Sequence, residues 1–228
     1  MSEPLIRVVN VSKVYKEASK ISALSELSVE FRSGEFTAIA GPSGSGKSTL
    51  LNLIGTIDSP TEGEIFFRAR KISSLSADEA ADFRLIELGF IFQAYNLIPV
   101  LTAVENVEYP LVMQKMPKAE RRARAMEVLG WVGLETMADR YPNQLSGGQQ
   151  QRVAVARSIV HRPMVVLADE PTANLDSKTG AALLDLMQGL NKDKNVTFIF
   201  SSHDPAVLSR ATRVVEMRDG RLAAAEHA

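Results

Sequence analysis

The chain has 228 residues, of which 45% are hydrophobic and 23% are charged, and its 26 basic residues nearly balance its 27 acidic residues. This composition is typical of a globular protein with an apolar core and excludes a disordered chain. The near-neutral charge disfavours nucleic acid as the main partner. The absence of cysteine excludes disulfides, thiol catalysis and cysteine-based metal sites.

No apolar stretch approaches the roughly 18 to 20 residues that a membrane-spanning helix needs. The first four residues, Met1 to Pro4, also lack the basic region and apolar stretch of a signal peptide. The sequence therefore predicts a cytoplasmic chain, which can still reach a membrane by binding an embedded partner.

Short β-strands are predicted for the start of the chain, at 6–9 and at 27–31. A buried strand is predicted over 36–40, and glycines and a helix over 47–54 follow it directly. The predicted antiparallel strands at the start indicate a small N-terminal β subdomain.

The segment 94–162 shows little strand signal and much helix. Pro117 predicts the start of one of its helices. Apolar residues at helical spacing predict the buried stripe of that helix: Ala119, Ala123, Met126 and Leu129. Three arginines lie mostly on the opposite face, where solvent exposure is favoured over a nucleic-acid patch: Arg121, Arg122 and Arg124.

Strands and helices alternate again after Pro163, with a buried apolar strand over 164–168 and a helix over 179–190. Two further strands are predicted, over 196–200 and 213–217. This alternation predicts an α/β fold whose parallel sheet is covered by helices. We expect one domain with a core of residues 1–93 and 163–228, into which a helical subdomain of residues 94–162 is inserted.

The segment from Gly41 to Ser48 matches the P-loop pattern G-x-x-x-x-G-K-[ST]. Its glycines allow backbone N–H groups to turn toward a phosphate, and the following helix directs its positive end at the anion. Lys47 supplies a charge for the β- and γ-phosphates, and the Ser48 hydroxyl can bind Mg²⁺. The predicted strand before the motif and the helix after it favour this interpretation over a coincidental turn.

Two adjacent carboxylates, Asp169 and Glu170, end the apolar strand at 164–168. Asp169 at the strand tip suits a Mg²⁺ ligand, acting through water. Glu170 is predicted to orient and polarise the water that attacks a γ-phosphate. A solvated strand end is the alternative, which the upstream P-loop disfavours.

The stretch Leu145 to Gln149 indicates a second surface for an anion. Ser146 and Gln149 form a capping-box pattern at the start of a helix. Gly147 and Gly148 are poor helix formers, and they are explained if the bare helix end must press against a ligand. A plain helix cap is the alternative.

Two phosphate-binding surfaces in one chain allow two arrangements. The helical subdomain could fold over its own P-loop. Alternatively, two chains could pair head to tail, so that the Ser146 helix of each closes the P-loop of the other. In the second arrangement, ATP binding holds the dimer closed and hydrolysis releases it.

In combination and order, these motifs resemble the ATP-binding subunits of ABC transporters over nearly the whole chain. The resemblance implies ATP and Mg²⁺ as ligands. It also implies further roles: Gln93 as the glutamine that senses Mg²⁺ and water, His203 as the γ-phosphate switch, Tyr15 as the aromatic stacked on adenine, and the segment 174–176 as a loop at the dimer interface.

The residues so implied fall into three groups. Those expected to act in catalysis are Lys47, Gln93, Glu170 and His203. Those expected to bind the nucleotide are Tyr15, Gly41, Pro42, Ser43, Gly44, Ser45, Gly46, Lys47, Ser48, Thr49, Gln93, Ser146, Gly147, Gly148, Gln149 and Asp169. Those expected to bind Mg²⁺ are Ser48, Gln93 and Asp169.

Within the family, the chain is most similar to the group that serves lipoprotein release, macrolide or peptide export, and cell division. The similarity lies in the stretches 88–93, 96–99, 101–107 and 168–172. Ala173 stands where this group more often has glycine, and the stretch 66–71 stands where many members have an Asp-Gly turn. Neither departure removes a catalytic residue.

The resemblance implies an ATPase that drives a membrane permease from the cytoplasmic face of the cytoplasmic membrane. Its partners are a second copy of the chain and the permease, which is expected to contact Tyr95, Leu97 and Ile98. Burial of these three side chains in the core is the alternative. Other readings are a regulatory cell-division ATPase, the ATPase of an importer, and a soluble ABC ATPase acting on nucleic acid or ribosomes. A P-loop kinase or GTPase would leave the Ser146 surface unexplained.

Overall fold

The computed structural model describes residues 3–16 and 20–223. Met1 and Ser2 belong to the segment in which the sequence analysis finds no signal-peptide features, and they lie outside these ranges. The strands are β1 (Ile6–Lys16), β2 (Lys20–Phe31), β3 (Phe36–Ala40), β4 (Glu62–Phe67), β5 (Arg70–Lys71), β6 (Leu88–Ile91), β7 (Val165–Ala168), β8 (Phe198–Ser202), β9 (Arg213–Arg218) and β10 (Arg221–Leu222). The helices are α1 (Lys47–Ile54), α2 (Ala77–Glu87), α3 (Ala103–Met113), α4 (Lys118–Trp131), α5 (Gly147–Ile159), α6 (Ser177–Lys194) and α7 (Pro205–Leu208).

The chain divides into two compact units. The first unit comprises residues 1–82 and 199–228, and the second unit comprises residues 83–198. The first unit contains an antiparallel sheet with the strand order β2-β1-β4-β5. Alternating apolar side chains on its strands are buried, including Ile6, Val8, Phe31 and Ile65. The N-terminal antiparallel sheet is therefore present, as the sequence predicts.

The first unit also contains a second set of strands, in the order β10-β9-β3-β8. In this set, β3 lies between β9 and β8. β3 pairs in parallel with β9, and all five residues of β3 are buried. The rings of Phe36 and Phe200 pack with centroids 4.8 Å apart. β3 ends at Ala40, so this packing anchors the strand that leads directly into the glycine-rich loop.

The tight turn between β4 and β5 forms although its sequence lacks the Asp-Gly pair. Phe66 pairs with Lys71 and Phe67 pairs with Arg70. Arg68 adopts the left-handed conformation with φ of 52°, which a tight hairpin turn requires and which glycine or asparagine adopts more readily.

The second unit contains the parallel pair of β6 and β7, in which Ile91 lies opposite Ala168 at the carboxyl ends of the strands. Between these strands the chain forms α3, α4 and α5 with two short 3₁₀ helices, at Glu135–Met137 and Pro142–Gln144. The predicted helical character of the middle segment is confirmed. The boundaries of a helical subdomain at 94 and 162 stay a prediction.

The predicted buried face of α4 is wrong in its first half. Leu129 is buried as predicted and Met126 is half-buried, but Ala119 and Ala123 are exposed, and Ala125 and Val128 are buried instead. The methyl group of alanine removes little apolar surface from water, so the larger Val128 and Leu129 determine which face packs inward.

Two of the three arginines of α4 differ from the prediction of a solvated face, because they pair with a buried carboxylate. Arg121 Nε lies 3.1 Å from the Glu108 carboxylate on α3, and Arg122 Nη1 lies 3.5 Å from the other oxygen of that carboxylate. Glu108 is only 7% exposed. A buried carboxylate needs paired partners, so Arg121 and Arg122 join α3 to α4.

Candidate nucleotide-binding residues

The glycine-rich loop lies in the first unit, between β3 and α1. Gly41, Gly44 and Gly46 have φ of 155°, 81° and 100°, values that side-chain-bearing residues rarely adopt. A Cβ atom at Gly41 would lie 2.3 Å from the Met217 carbonyl oxygen, and one at Gly46 would lie 2.6 Å from the Ala23 carbonyl oxygen. Space is open at Gly44. The loop backbone therefore requires glycine for conformation at Gly44, and for both conformation and space at Gly41 and Gly46.

Lys47 is the first residue of α1, and it is 7% exposed. Its Nζ donates hydrogen bonds to the carbonyl oxygens of Gly41, at 2.7 Å, and of Pro42, at 3.0 Å. The ammonium group is thus held against the loop at the positive end of a helix. A glycine-shaped backbone, a helix N-terminus and an ammonium group together form a donor set that suits a polyphosphate.

The residues of the loop differ in exposure. Pro42, Ser43 and Ser48 are exposed, whereas Ser45 is buried. The Ser45 amide donates to the Pro42 carbonyl at 3.2 Å. Its hydroxyl has no hydrogen-bond partner among the residues that the structure describes. The Ser45 side chain therefore faces the protein interior, and the exposed residues form the accessible surface of the loop.

Tyr15 lies near the end of β1 and is half-buried. Its hydroxyl donates to Asp58 Oδ2 at 3.0 Å, and Lys13 Nζ lies 4.9 Å from the ring centroid. Partial burial raises the pKa of the phenol, although a hydrogen bond from Thr49 acts in the opposite direction. Tyr15 is therefore held by Asp58 at its hydroxyl and by Lys13 at its ring, in addition to its backbone pairing.

His203 is exposed and directly follows β8, whose residues are all buried. The Asp204 amide donates to Ser202 Oγ at 3.1 Å, and Asp204 Oδ1 accepts from the Ala206 amide at 2.8 Å. These bonds fix the backbone on both sides of His203. β8 is the neighbour of β3 in the strand order, so the first unit places His203 and the P-loop after adjacent strands.

The predicted capping box at the start of α5, in the second unit, is confirmed. Gln149 N donates to Ser146 Oγ at 3.3 Å, and Ser146 N donates to Gln149 Oε1 at 2.9 Å. The first bond of the helix runs from Gln150 N to the Ser146 carbonyl. The amides of Gly147 and Gly148 therefore precede the bonded part of the helix, and they could serve an anion.

The two glycines of α5 also have a packing role that the sequence did not indicate. A Cβ atom at Gly147 would lie 2.9 Å from the Tyr95 hydroxyl oxygen. One at Gly148 would lie 2.4 Å from Cγ2 of Thr179 on α6. A side chain at either position would therefore have to displace a neighbouring side chain, whatever the helix end binds.

Gln93 is exposed and follows β6, and its carbonyl accepts from Asn174 Nδ2 at 2.8 Å. The Tyr95 hydroxyl donates to the Asn174 carbonyl at 3.4 Å. These contacts join the segment after β6 to the segment before α6. Tyr95, Leu97 and Ile98, the predicted permease contacts, are half-buried.

Arg157 on α5 holds the same segment from the other side. Its guanidinium donates to the carbonyl oxygens of Asn96, at 2.6 Å, and of Tyr95, at 2.9 Å. Tyr95 and Asn96 both have left-handed backbones, with φ of 58° and 50°. Burial lowers the pKa of Arg157. The sequence analysis missed this contact, since no local pattern links Arg157 to residues 60 positions away.

Asp169 and Glu170 follow β7. Asp169 N donates to the Ile91 carbonyl at 3.0 Å, so Asp169 lies at the same carboxyl edge as the segment leading to Gln93. Glu170 has φ of 45°, in the left-handed region, and its carbonyl accepts from Ala173 N at 3.1 Å. A non-glycine residue in this conformation costs about 1–3 kcal/mol, and such strain is often found at functional positions.

The structure thus collects the predicted residues into two sets. The first unit holds Tyr15, the loop and helix start at 41–49, and His203. The second unit holds Gln93, the segment 146–149, Asp169 and Glu170. No group of three or more His, Asp or Glu side chains is placed to hold a metal ion within the ranges 3–16 and 20–223. Mg²⁺ bound mainly through phosphates and water needs no such group.

Comparison with known proteins decides the family. The ABC transporter family profile matches residues 24–173. The chain belongs to the ABC transporter family. The uncharacterized ABC transporter ATP-binding protein MJ1508 of Methanocaldococcus jannaschii is 46% identical over 219 residues, which span 96% of this chain and 97% of that protein. The family resemblance predicted from the motifs is therefore confirmed.

Two further ABC relatives extend the comparison. The macrolide export ATP-binding/permease protein MacB of Pasteurella multocida is 44% identical over 98% of this chain, which spans 34% of MacB. A dimeric structure of a post-hydrolysis state of the ATP-binding cassette MJ0796, bound to ADP and Pi, has a TM-score of 0.88 and 45% identity. That match covers 96% of this chain and 97% of MJ0796, which is from M. jannaschii. The predicted fold class is thus confirmed, and the MacB match is consistent with the predicted group.

Membrane association is a separate question from family membership. None of the helices in the described ranges combines the length and the apolar character needed to cross a membrane.

Proposed function

We propose that this ABC protein binds and hydrolyses ATP as the nucleotide-binding subunit of a membrane transporter. The observation that carries the proposal is the glycine-shaped loop whose carbonyls hold the Lys47 ammonium at the N-terminus of α1. That donor set suits the phosphates of a nucleotide. The relatedness to an ATP-binding cassette that was captured with ADP and Pi supports the same ligand.

The residues of the first unit bind the nucleotide in this proposal. Tyr15 stacks on the adenine base, Lys47 and the backbone of the loop at 41–49 hold the phosphates, and His203 contacts the γ-phosphate. Ser48, exposed on the first turn of α1, is a Mg²⁺ ligand. Mg²⁺ supplies charge neutralisation of the phosphates when it is bound.

The remaining proposed roles belong to residues of the second unit. Glu170 orients the attacking water, and Asp169 and Gln93 serve Mg²⁺. Ser146, Gly147, Gly148 and Gln149 present α5 to the phosphates of a second copy, so that two chains close head to tail around ATP. The dimeric structure of the related cassette MJ0796 supports this assembly.

We place the protein at the cytoplasmic face of the membrane, attached through a permease that contacts the segment Tyr95 to Ile98. The fusion of ATP-binding and permease parts in the name of MacB supports a permease partner and an export or lipoprotein-release type of transport. The chain acts as one ABC domain, with a core at 1–93 and 163–228 and a helical subdomain at 94–162. Closure of the ATP-bound dimer moves the permease because ATP favours the closed state.

The experiment is the variant Glu170→Gln. Removal of a positioned general base typically lowers a rate by about 10² to 10⁴. We therefore expect ATP binding to persist, phosphate release to fall by that factor, and an ATP-dependent dimer to accumulate in size-exclusion chromatography with light scattering. Glu127→Gln, a change at an exposed glutamate on α4, is the control and should keep the wild-type turnover.

Wild-type turnover in Glu170→Gln would contradict the assignment of Glu170. The permease proposal is tested separately, by purifying tagged Glu170→Gln with ATP from solubilised membranes and identifying its partners by mass spectrometry. We expect a permease with about four membrane helices and a large extracytoplasmic domain. A permease with many helices and a solute-binding protein would indicate an importer, and no membrane partner would contradict the transporter role.

A further inference from the structure

A network of polar side chains surrounds the hydroxyl of Tyr15 in the first unit. The hydroxyl donates to Asp58 Oδ2 at 3.0 Å, and Lys13 Nζ lies 4.9 Å from the ring centroid. Tyr15 therefore has a fixed partner at the tip of its side chain, whereas a ring used only for stacking needs none. These contacts restrict rotation about the two side-chain torsions of tyrosine.

Asp58 is itself held in place. Lys13 Nζ lies 2.6 Å from its Oδ1, and the Ser59 amide donates to the same oxygen at 2.7 Å. Lys13 Nζ also donates to the Ser59 carbonyl at 2.7 Å. Partial burial raises the pKa of Asp58, but the hydrogen bonds from Lys13, Ser59 and Tyr15 outweigh this effect, so the pKa lies below its usual value. Asp58 is thus an ionised acceptor in a rigid setting.

The anchor of Tyr15 lies shortly after the P-loop helix in the chain. Asp58 is four residues after the last residue of α1. Lys13 lies on β1 with Tyr15, and its side chain is 12% exposed. The ring of Tyr15 is consequently tied to the element that carries the phosphate-binding residues.

We infer that Asp58, held by Lys13, is a positioning residue. It fixes the ring of Tyr15 relative to the P-loop, so that the ring and the loop can bind the base and the phosphates of one nucleotide at the same time. This inference rests on the proposed role of Tyr15 in stacking on adenine. Preorganisation of the ring removes an ordering cost from nucleotide binding. Loss of Asp58 should therefore weaken the binding of a nucleotide, while leaving the binding of phosphates alone unchanged.

The test compares ATP with inorganic tripolyphosphate, which lacks the base, by calorimetric titration in EDTA. Tyr15→Ala should raise the Kd for ATP about 5- to 150-fold, the range for loss of one base–aromatic stack. Asp58→Asn should raise it about 2- to 12-fold, the range for ordering one side chain. Neither change should alter the Kd for tripolyphosphate.

Glu64→Gln is the matched control, because Glu64 also pairs with a lysine, Lys71, at 2.6 Å in the first unit. Glu64 lies on β4 and Lys71 lies on the edge strand β5, and loss of this pair should affect neither ligand. In a Tyr15→Phe background, which lacks the hydroxyl, Asp58→Asn should produce no further change in the Kd for ATP.

The remaining outcomes separate this inference from the proposed function. If Tyr15→Ala weakens ATP selectively and Asp58→Asn does not, the positioning role is wrong and the stacking role stands. If Asp58→Asn weakens both ligands equally, its effect is a general disturbance of the P-loop, and the inference is overturned. If Tyr15→Ala does not distinguish the two ligands, the stacking role itself is wrong.

Discussion

Glycines precede or open a helix in both units, and the comparison of α1 with α5 shows that they do so for different reasons. Gly44 and Gly46, before α1, have left-handed backbones. Gly147 and Gly148 have right-handed helical backbones, and they are limited by the side chains of Tyr95 and Thr179.

This difference determines whether the stability lost by substituting a glycine can be restored by a second substitution. A clash with a side chain can be relieved by shortening that side chain, whereas a clash with backbone or a forbidden φ cannot. The P-loop is therefore constrained by its own left-handed backbone and by the backbone of neighbouring strands, whereas the start of α5 is constrained by side chains of the second unit.

The largest effect is expected for Gly46→Ala in the first unit. The new Cβ atom would lie 2.6 Å from the Ala23 carbonyl oxygen, at a residue with φ of 100°. We expect the free energy of unfolding to fall by about 3 kcal/mol, measured by chemical denaturation. Gly44→Ala is the matched control, because space there is open and only the left-handed backbone is strained, at about 1–2 kcal/mol. Equal losses in the two variants would contradict the role of the Ala23 contact.

A smaller and repairable loss is expected for Gly148→Ala in the second unit. Its Cβ atom would lie 2.4 Å from Thr179 Cγ2, and such overpacking costs about 1–3 kcal/mol. Thr179→Ser removes that methyl group and keeps the hydroxyl, so the double variant should be more stable than Gly148→Ala. A double-mutant cycle by denaturation measures the coupling. The same loss in both backgrounds would show that the threonine methyl is not the limiting contact.

Two buried serines, one in each unit, are expected to change the free energy of unfolding by about 1 kcal/mol when they are replaced. Ser45 in the first unit has a hydroxyl without a partner among the described residues, whereas Ser158 in the second unit donates to the Val155 carbonyl at 2.7 Å. An unpaired buried hydroxyl costs free energy and a paired one contributes about 1 kcal/mol. We therefore expect Ser45→Ala to stabilise the protein and Ser158→Ala to destabilise it in thermal unfolding. Changes of the same sign would contradict this difference.

The smallest expected effect is a pH dependence of the folding stability, caused by His161 in the second unit. Burial lowers the pKa of His161, against the opposing hydrogen bond to the Leu88 carbonyl at 3.0 Å. The folded state then binds fewer protons than the unfolded state, whose histidine pKa is about 6.5. The stability contribution is present above about pH 6.5 and is lost as the pH falls through the folded-state pKa. His161→Gln should flatten this part of the stability profile, and an unchanged slope would contradict the role of His161.

Local chemistry allowed much of the fold and of the proposed site to be predicted from the sequence. The P-loop, the capping box of Ser146 and Gln149, and the strand that ends just before Asp169 are short patterns that are recognisable from their own residues. The helical middle segment was predictable for the same reason, because helix signals act over a few turns.

Only the tertiary structure decided the contacts that join distant segments. The buried face of α4 depends on the helices that pack against it, and the Arg157 contact with Tyr95 and Asn96 spans about sixty positions. The anchoring of Tyr15 by Asp58 crosses from β1 to the segment after α1. A sequence pattern records which residues are neighbours along the chain, whereas packing and hydrogen bonding depend on which residues folding brings together in space.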